Sequence, residues 1–376
     1  MASAPDVVVV GAGLVGTMTA LGLAEAGARV TLLEAEFPGC GSTGAAMGHI
    51  VAMDDSPEQL ALCAHSRRRW GQLAATLPAS GELDRCGTLW IAADDVELDA
   101  GRQRARGYAA QQVTADVIDA RTLYQLEPHL RPGLAGGLLV PGDAVCYPPA
   151  IARALCERVA ATGAVVLRRS RVQSLGPHLL RLADGTKLQA DAIVIATGVA
   201  APQLVPGLPI VPRKGHLVIS DRQPGMVRHQ LVELGYMQSA HTFGAASVAF
   251  NVQPRRTGQL LIGSSRELVE FDARINHELL GAMLRRATEF IPGLRNVRAL
   301  RSWVGFRPAT ADKLPLIGPW PEIDGVWIAA GHEGLGITMA TGTADLIVAG
   351  ILGLTPPVAP DAFKPDRVMP LMAHAA

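Results

Sequence analysis

The tightest constraint on this chain lies in its first 34 residues. Four consecutive valines, Val7 to Val10, run straight into Gly11-Ala-Gly-Leu-Val-Gly16. A continuous β-branched run marks a strand buried on both faces. Leu14 to Ala26 reads as an Ala- and Leu-rich helix ending at Gly27, and Arg29 to Leu33 as a second strand closed by Glu34. Strand, glycine turn, helix and strand make a βαβ unit, which requires a parallel sheet. The glycines have separable tasks. Gly11 permits the tight turn, Gly13 lets a pyrophosphate approach the backbone, and Gly16 lets the helix pack on the strand. The N–H groups at the helix start, around Leu14 and Val15, meet the phosphate charge. Glu34, followed by Ala35, is placed to accept ribose hydroxyls, and its charge disfavours a 2′-phosphate. The unit predicts a bound dinucleotide, NAD or FAD rather than NADP. Its N-terminal position leans towards FAD.

The chain is 376 residues long, several times the length of such a unit. Hydrophobic residues are 49% and charged residues 18%, which excludes a disordered or fibrous chain. Lys plus Arg and Asp plus Glu are each 34, and aromatics are 4%, which excludes a general basic nucleic-acid binder. The five cysteines, at 40, 63, 86, 146 and 156, form no C-x-x-C or Cys/His cluster, so no metal site is expected. The opening Met-Ala-Ser-Ala-Pro-Asp lacks the pattern of a signal peptide, and no apolar run approaches the ~18 residues of a membrane span. The expected location is cytoplasmic.

Further along, Pro57 to Leu77 and Pro149 to Thr162 read as helices, with Asp143 to Tyr147 a loop between elements. Leu179 to Leu182 and Lys187 to Gln189 flank Asp184-Gly185, a hairpin signal. Ala192 to Ala196 and Val326 to Ala330 read as buried strands, residues 211 to 265 as several strands, and Glu267 to Phe290 as largely helical. Texture changes near residues 81, 145, 212 and 298 predict two domains interleaved in sequence.

Four segments in order carry a family resemblance. They are Val7–Glu34, Gly41-Ser-Thr-Gly-Ala-Ala-Met-Gly48, Asp191-Ala-Ile-Val-Ile-Ala-Thr-Gly198, and Trp303-Val-Gly-Phe-Arg-Pro308 through Pro315-Leu-Ile-Gly318 to Gly331-His-Glu-Gly-Leu-Gly-Ile-Thr338. With these the chain resembles the D-amino-acid oxidase-like family of FAD oxidoreductases, which includes glycine and sarcosine oxidases. Met47 to Ser56 and Val252 to Arg266 look closest to the beta subunits of bacterial D-hydroxyproline dehydrogenases, with subunits of hydrogen cyanide synthase and opine oxidases as near neighbours. The resemblance implies an α/β fold: a Rossmann-like FAD-binding domain of residues 1–80, 145–211 and 298–376, and an antiparallel-sheet substrate cap of residues 81–144 and 212–297. It also implies hetero-oligomeric partner subunits, through which the protein associates with a membrane if at all.

For the flavin, Ser42 and Thr43 offer hydroxyls to the pyrophosphate, and Met47 and Gly48 lie in the segment expected beside the isoalloxazine. Val172 matches the family position whose backbone meets adenine, and Thr197-Gly198 ends a strand where the family's chain passes the dinucleotide. At Gly331 to Thr338 a buried strand stops and a helix opens. There Gly334, Leu335, Gly336, Ile337 and Thr338 place free N–H groups and a positive dipole end against the flavin pyrimidine edge, which stabilises reduced flavin. The family's attachment cysteine is missing near Arg307, so the FAD is expected to be non-covalent.

On the substrate side, the resemblance makes Arg307 the partner of the substrate carboxylate, a task its bidentate fork suits. The alternative is an ion pair with Asp312. His49 and His332 are candidates for the substrate or flavin neighbourhood, each with a structural alternative, and His216 is a weaker one. Where glycine oxidase places a substrate-holding tyrosine, the nearest residue is Phe250, with Tyr236 offset, which favours a substrate bulkier than glycine. The implied reaction is hydride transfer from the substrate Cα–H to flavin N5, giving an imine. D-Hydroxyproline or a similar ring is the leading substrate, with glycine, sarcosine or opine oxidation as the alternative and a non-catalytic flavin-holding subunit more distant.

Overall fold

The computed structural model describes residues 4–53, 55–235 and 246–368. Its first strand, Asp6–Val10, pairs in parallel with Arg29–Glu34 on one side and Ala192–Ile195 on the other. It is the centre of a six-stranded sheet that also holds Val165–Arg168, Val326–Ala330 and the antiparallel edge Leu316–Pro319. The valine run is buried on both faces for a visible reason. Val7 and Val9 pack into a helical layer with Leu14, Leu23 and Ile347, whereas Val8 and Val10 pack against Val172, Leu180 and Leu182 of a three-stranded meander. Each buried valine is worth about 1.5–3 kcal/mol, which fixes the register at the base of the glycine turn.

The helical layer is made by Leu14–Glu25, Pro57–Leu73 and Gly336–Leu352. The stretch Glu333–Leu352 is long and apolar enough, by length and composition, to cross a membrane, contrary to the expectation that no segment approaches that limit. About two thirds of it is buried against the other helices of this layer, as in the core helix of a globular domain.

The second layer is an eight-stranded sheet in the order Ala299–Ala309, Val211–Arg222, Gln259–Leu268, Ser247–Pro254, Gln230–Glu233, Thr88–Ala92, Gly136–Val140 and Asp116–Asp119. It is mixed rather than purely antiparallel, because Gln230–Glu233 runs parallel to Thr88–Ala92. Ala299–Ala309 pairs along its length with Val211–Arg222, so the chain remains in this sheet through residue 309, past the texture change near residue 298. Two local expectations also change. Ala144–Val145 is not loop but pairs with His49–Ile50, joining the two domains. The strand Gln259–Leu268 runs past Glu267, and the helix starts only at His277, where the Asn276 side chain accepts the Leu279 N–H as its cap.

Three hydrogen bonds hold the flavin-loop segment against the cap sheet. Ser42 Oγ donates to the Phe306 carbonyl (2.6 Å), Trp303 Nε1 to Ala45 O (3.2 Å) and Gln253 Nε2 to Met47 O (2.7 Å).

Candidate active site

One continuous cavity runs between the domains, from Glu34 and Val172 at one end to Arg307 and His49 at the other. Its wall includes Gly11, Gly13, Leu14, Val15, Ala35, Ser42, Thr43, Met47, Gly48, Thr197, Gly198, Gly334, Leu335, Gly336 and Ile337. Gly16, Gly331 and Thr338 stand behind that wall. A Cβ on Gly16 would lie 1.8 Å from the Gly11 carbonyl oxygen, so its role is packing. Gly331 turns the chain with φ +83°, and Thr338 is buried, accepting from Val51 N and donating to His49 O. The Thr338 side chain thus sets the path of the His49 segment.

The donor set suits a dinucleotide. Helix Leu14–Glu25 has no side-chain cap of its own and no acid in its first turn, so its N-terminus is left to an anion. Thr43 Oγ1 accepts the Leu14 N–H at 3.1 Å and keeps its proton for a phosphate, while Ser42 has committed its proton to Phe306 O. Glu34 accepts from Ala12 N and Glu36 N, each at 2.8 Å. These bonds aim both carboxylate oxygens and leave lone pairs for ribose hydroxyls. Thr197 Oγ1 is buried on the wall with no partner among the described residues, a further group for a polar ligand to satisfy.

At the other end, Arg307 lies over Gly215, with which the neighbouring strand brings it into contact. A Cβ at residue 215 would fall 2.3 Å from Arg307 Nη1. Arg307 Nη1 also donates to Ser265 O at 3.0 Å, and its stem reaches to 3.9 Å of the Cβ position of Gly334 in the turn that opens the last helix. It does not pair with Asp312, which is taken by Arg367 at 2.7 Å. The positive end of that helix and the guanidinium therefore face the same space. Gly215→Ala should displace Arg307. We expect flavin content to stay normal while KM for the substrate rises about tenfold or more, read by steady-state kinetics and the visible spectrum.

The histidines divide. His49 Nε2 lies 3.1 Å from Gly334 O, and a carbonyl only accepts, so Nε2 carries the proton. Burial pushes His49 down to about 4, and the nearby Arg307 and Arg266 charges add to this. It is neutral at physiological pH, with a bare, shielded Nδ1 lone pair. His332 also lines the cavity, as expected. Its Nε2 lies 2.8 Å from Thr343 Oγ1 of the last helix, and burial pushes it down to about 3, so it is neutral and held by that helix. His216 is buried between Ser265 Oγ and Asn276 N on the far face of the cap sheet and lies outside the cavity wall.

Sequence reasoning missed three residues here. Phe250 does not face the cavity but stacks on Phe290 in the cap core, with ring centroids 4.4 Å apart. Its neighbour Asn251 lines the cavity instead, as do Ser264 and Arg266. The period-2 alternation of the strand was the available signal, since residues 250 and 251 must point to opposite faces. Tyr236 lies outside the described residues.

The Glu34 end, the helix N-terminus without an acid in its first turn, and the cavity between the parallel sheet and the cap sheet define a dinucleotide-binding protein. Residues 6–349 match the model of the DAO family, FAD dependent oxidoreductase, and the chain belongs to that family, with FAD as its cofactor. It is 28% identical over 382 residues to glycine oxidase of Pseudomonas putida, covering 96% of this chain and 98% of the relative. The crystal structure of glycine oxidase from Geobacillus kaustophilus matches with a TM-score of 0.85 at 26% identity, covering 96% of this chain and 98% of that one. L-proline dehydrogenase from P. horikoshii shares the fold, with a TM-score of 0.87 at 23% identity over 98% of this chain and 99% of that one.

Proposed function

We propose that this protein dehydrogenates the Cα–N bond of an amino acid, D-hydroxyproline or a closely similar ring, as a cytoplasmic subunit of a larger complex. The observation that carries the reaction class is the placement of Arg307 against the Gly334 turn, with the cofactor-binding groups continuing along the same cavity. The glycine oxidase relatives support an amino-acid substrate. The segments Met47–Ser56 and Val252–Arg266 support the ring and the partner subunits. Asn251, shorter than a tyrosine, supports a substrate larger than glycine.

When bound, FAD would supply the acceptor for a hydride, that is, one hydrogen with its two electrons. The protein's own residues do the rest. Arg307 fixes the substrate carboxylate through its fork and so orients the Cα–H. The positive charges of Arg307 and Arg266, which help hold His49 neutral, likewise favour the neutral form of a substrate amine beside them. No side-chain base is assigned, because the amine enters neutral. A second reading, oxidation of a dicarboxylic opine-type amine, is favoured by one observation: Arg266 lines the same end of the cavity.

The test is an anaerobic screen of the purified yellow protein against D- and L-proline, hydroxyprolines, glycine, sarcosine and iminodiacetate. Fastest bleaching by a D-hydroxyproline is expected. Bleaching only by glycine or only by the dicarboxylate would replace the ring reading. The FAD should also leave with the supernatant on acid precipitation. Cys40, the one cysteine on the wall, sits 3.7 Å from Glu34 at the ribose end, away from Arg307. Colour retained in the pellet would show a covalent link.

A further inference from the structure

Resting on the ring-substrate reading, we infer that Asn251 and Ser264 form a second substrate-recognition site that binds the ring hydroxyl of a hydroxyproline. Both side chains line the cavity, and both residues are more than nine-tenths buried, at 6% and 4% exposure. Asn251 Oδ1 and Ser264 Oγ have no hydrogen-bond partner among the described residues. Buried polar groups are nearly always partnered, so two orphans on one cavity wall, one at Asn251 and one at the residue that follows its strand partner Gly263, are groups that a ligand satisfies. Asn251 pairs across the sheet with Gly263, and a Cβ on Gly263 would lie 2.9 Å from Met47 Sδ. This places the pair over the segment that leads to His49. Arg266, two residues beyond Ser264, reaches the same neighbourhood, because its charge acts on His49 together with that of Arg307. The carboxylate anchor and the orphan pair therefore share one chamber.

The chemistry selects the ligand group. Asn251 Oδ1 is an acceptor and the Ser264 hydroxyl is a donor and acceptor. A hydroxyl can donate to the first and accept from the second, whereas a ring methylene can do neither. A carboxylate could accept from the Asn251 amide N–H2 and the Ser264 hydroxyl but would leave Asn251 Oδ1 without a donor, whereas a hydroxyl supplies one. Arg266 is already drawn towards Glu333 at 3.7 Å, and the neutral pair sets the preference.

The test compares the holoenzyme with Ser264→Ala and Asn251→Ala, using 4-hydroxy-D-proline and D-proline as probes. The substrate dissociation constant and the limiting rate of flavin reduction are measured by anaerobic rapid mixing, and FAD affinity and melting temperature are recorded alongside. The wild type should favour the hydroxylated ring by about 10- to 100-fold, since a site built for a hydroxyl rejects the analogue lacking it. Each variant should cut that ratio by about 3- to 10-fold, chiefly through the dissociation constant, with FAD affinity held. Ser264→Thr, which keeps the hydroxyl, should retain most of the preference. Equal use of the two rings by the wild type, or an unchanged ratio in both alanine variants, would overturn the inference while leaving the ring reading in place. Weakened FAD binding in the variants would overturn it by assigning the pair to the cofactor. If neither ring reduces the flavin but another amino acid does, the ring reading itself fails and the inference falls with it.

Discussion

Arg307→Ala should lower kcat/KM for the amino-acid substrate by roughly 30- to 4000-fold while leaving the FAD in place. Removing one partner of a buried hydrogen-bonded charge pair costs about 2–5 kcal/mol, and each 1.4 kcal/mol is a decade in rate. The loss is confined to the substrate because Arg307 touches Gly215, Ser265 and the Gly334 turn, while the groups suited to the pyrophosphate and ribose lie at the opposite end of the cavity. Arg307→Lys should recover only part of the activity, since an ammonium keeps the charge but not the fork. Pyrrolidine, which lacks the carboxylate, should be a poor substrate of the wild type and lose little more in the variant. If pyrrolidine oxidation falls as far as amino-acid oxidation, Arg307 is structural and the anchor lies elsewhere.

The second large effect separates two glycines of one motif. A methyl group on Gly16 would sit 1.8 Å from the Gly11 carbonyl oxygen, which is rigid backbone inside the first βαβ unit. Gly16→Ala should therefore destabilise the domain by about 3 kcal/mol or more, and little soluble flavoprotein should be recovered. A Cβ at Gly13 meets only Thr43 Oγ1, at 3.2 Å, a side chain that has room to turn. Gly13→Val should consequently fold but emerge colourless, because its branches occupy the pyrophosphate path. The melting temperature and the flavin-to-protein ratio of the two variants separate these outcomes. A folded Gly13→Val protein with normal flavin occupancy would contradict the assignment of the cofactor path.

The dinucleotide half of this molecule was legible because its chemistry is local. Val7 to Val10, Gly11, Gly13, Gly16 and Glu34 lie within one supersecondary unit, and each spacing is dictated by contacts inside that unit. The substrate half was less legible because it depends on registers between distant strands. Arg307 could be named from its motif, but its seat on Gly215 follows from a strand pairing across about 90 residues of sequence. The strand Ala299–Ala309 leaves no local signal of which sheet it joins, so the domain crossing was placed near residue 298. Phe250 and Asn251 were exchanged for a related reason: an aromatic ring was matched by residue type, whereas the alternation of the strand puts that ring in the core. His332 sits on the cavity wall as its loop sequence suggested, but its bond to Thr343, eleven residues on in the last helix, has no local signal.

The central claim is that the cavity brings the Cα–H of an amino acid to the cofactor with its carboxylate held by Arg307. It is tested most directly by single-turnover reduction of the bound flavin, without oxygen, by D-hydroxyproline bearing hydrogen or deuterium at Cα. Deuterium should slow the reduction itself, and Arg307→Ala should slow it further while keeping the isotope effect. Reduction that proceeds at the same rate with either isotope in the wild type and in the slower variant would contradict the central claim.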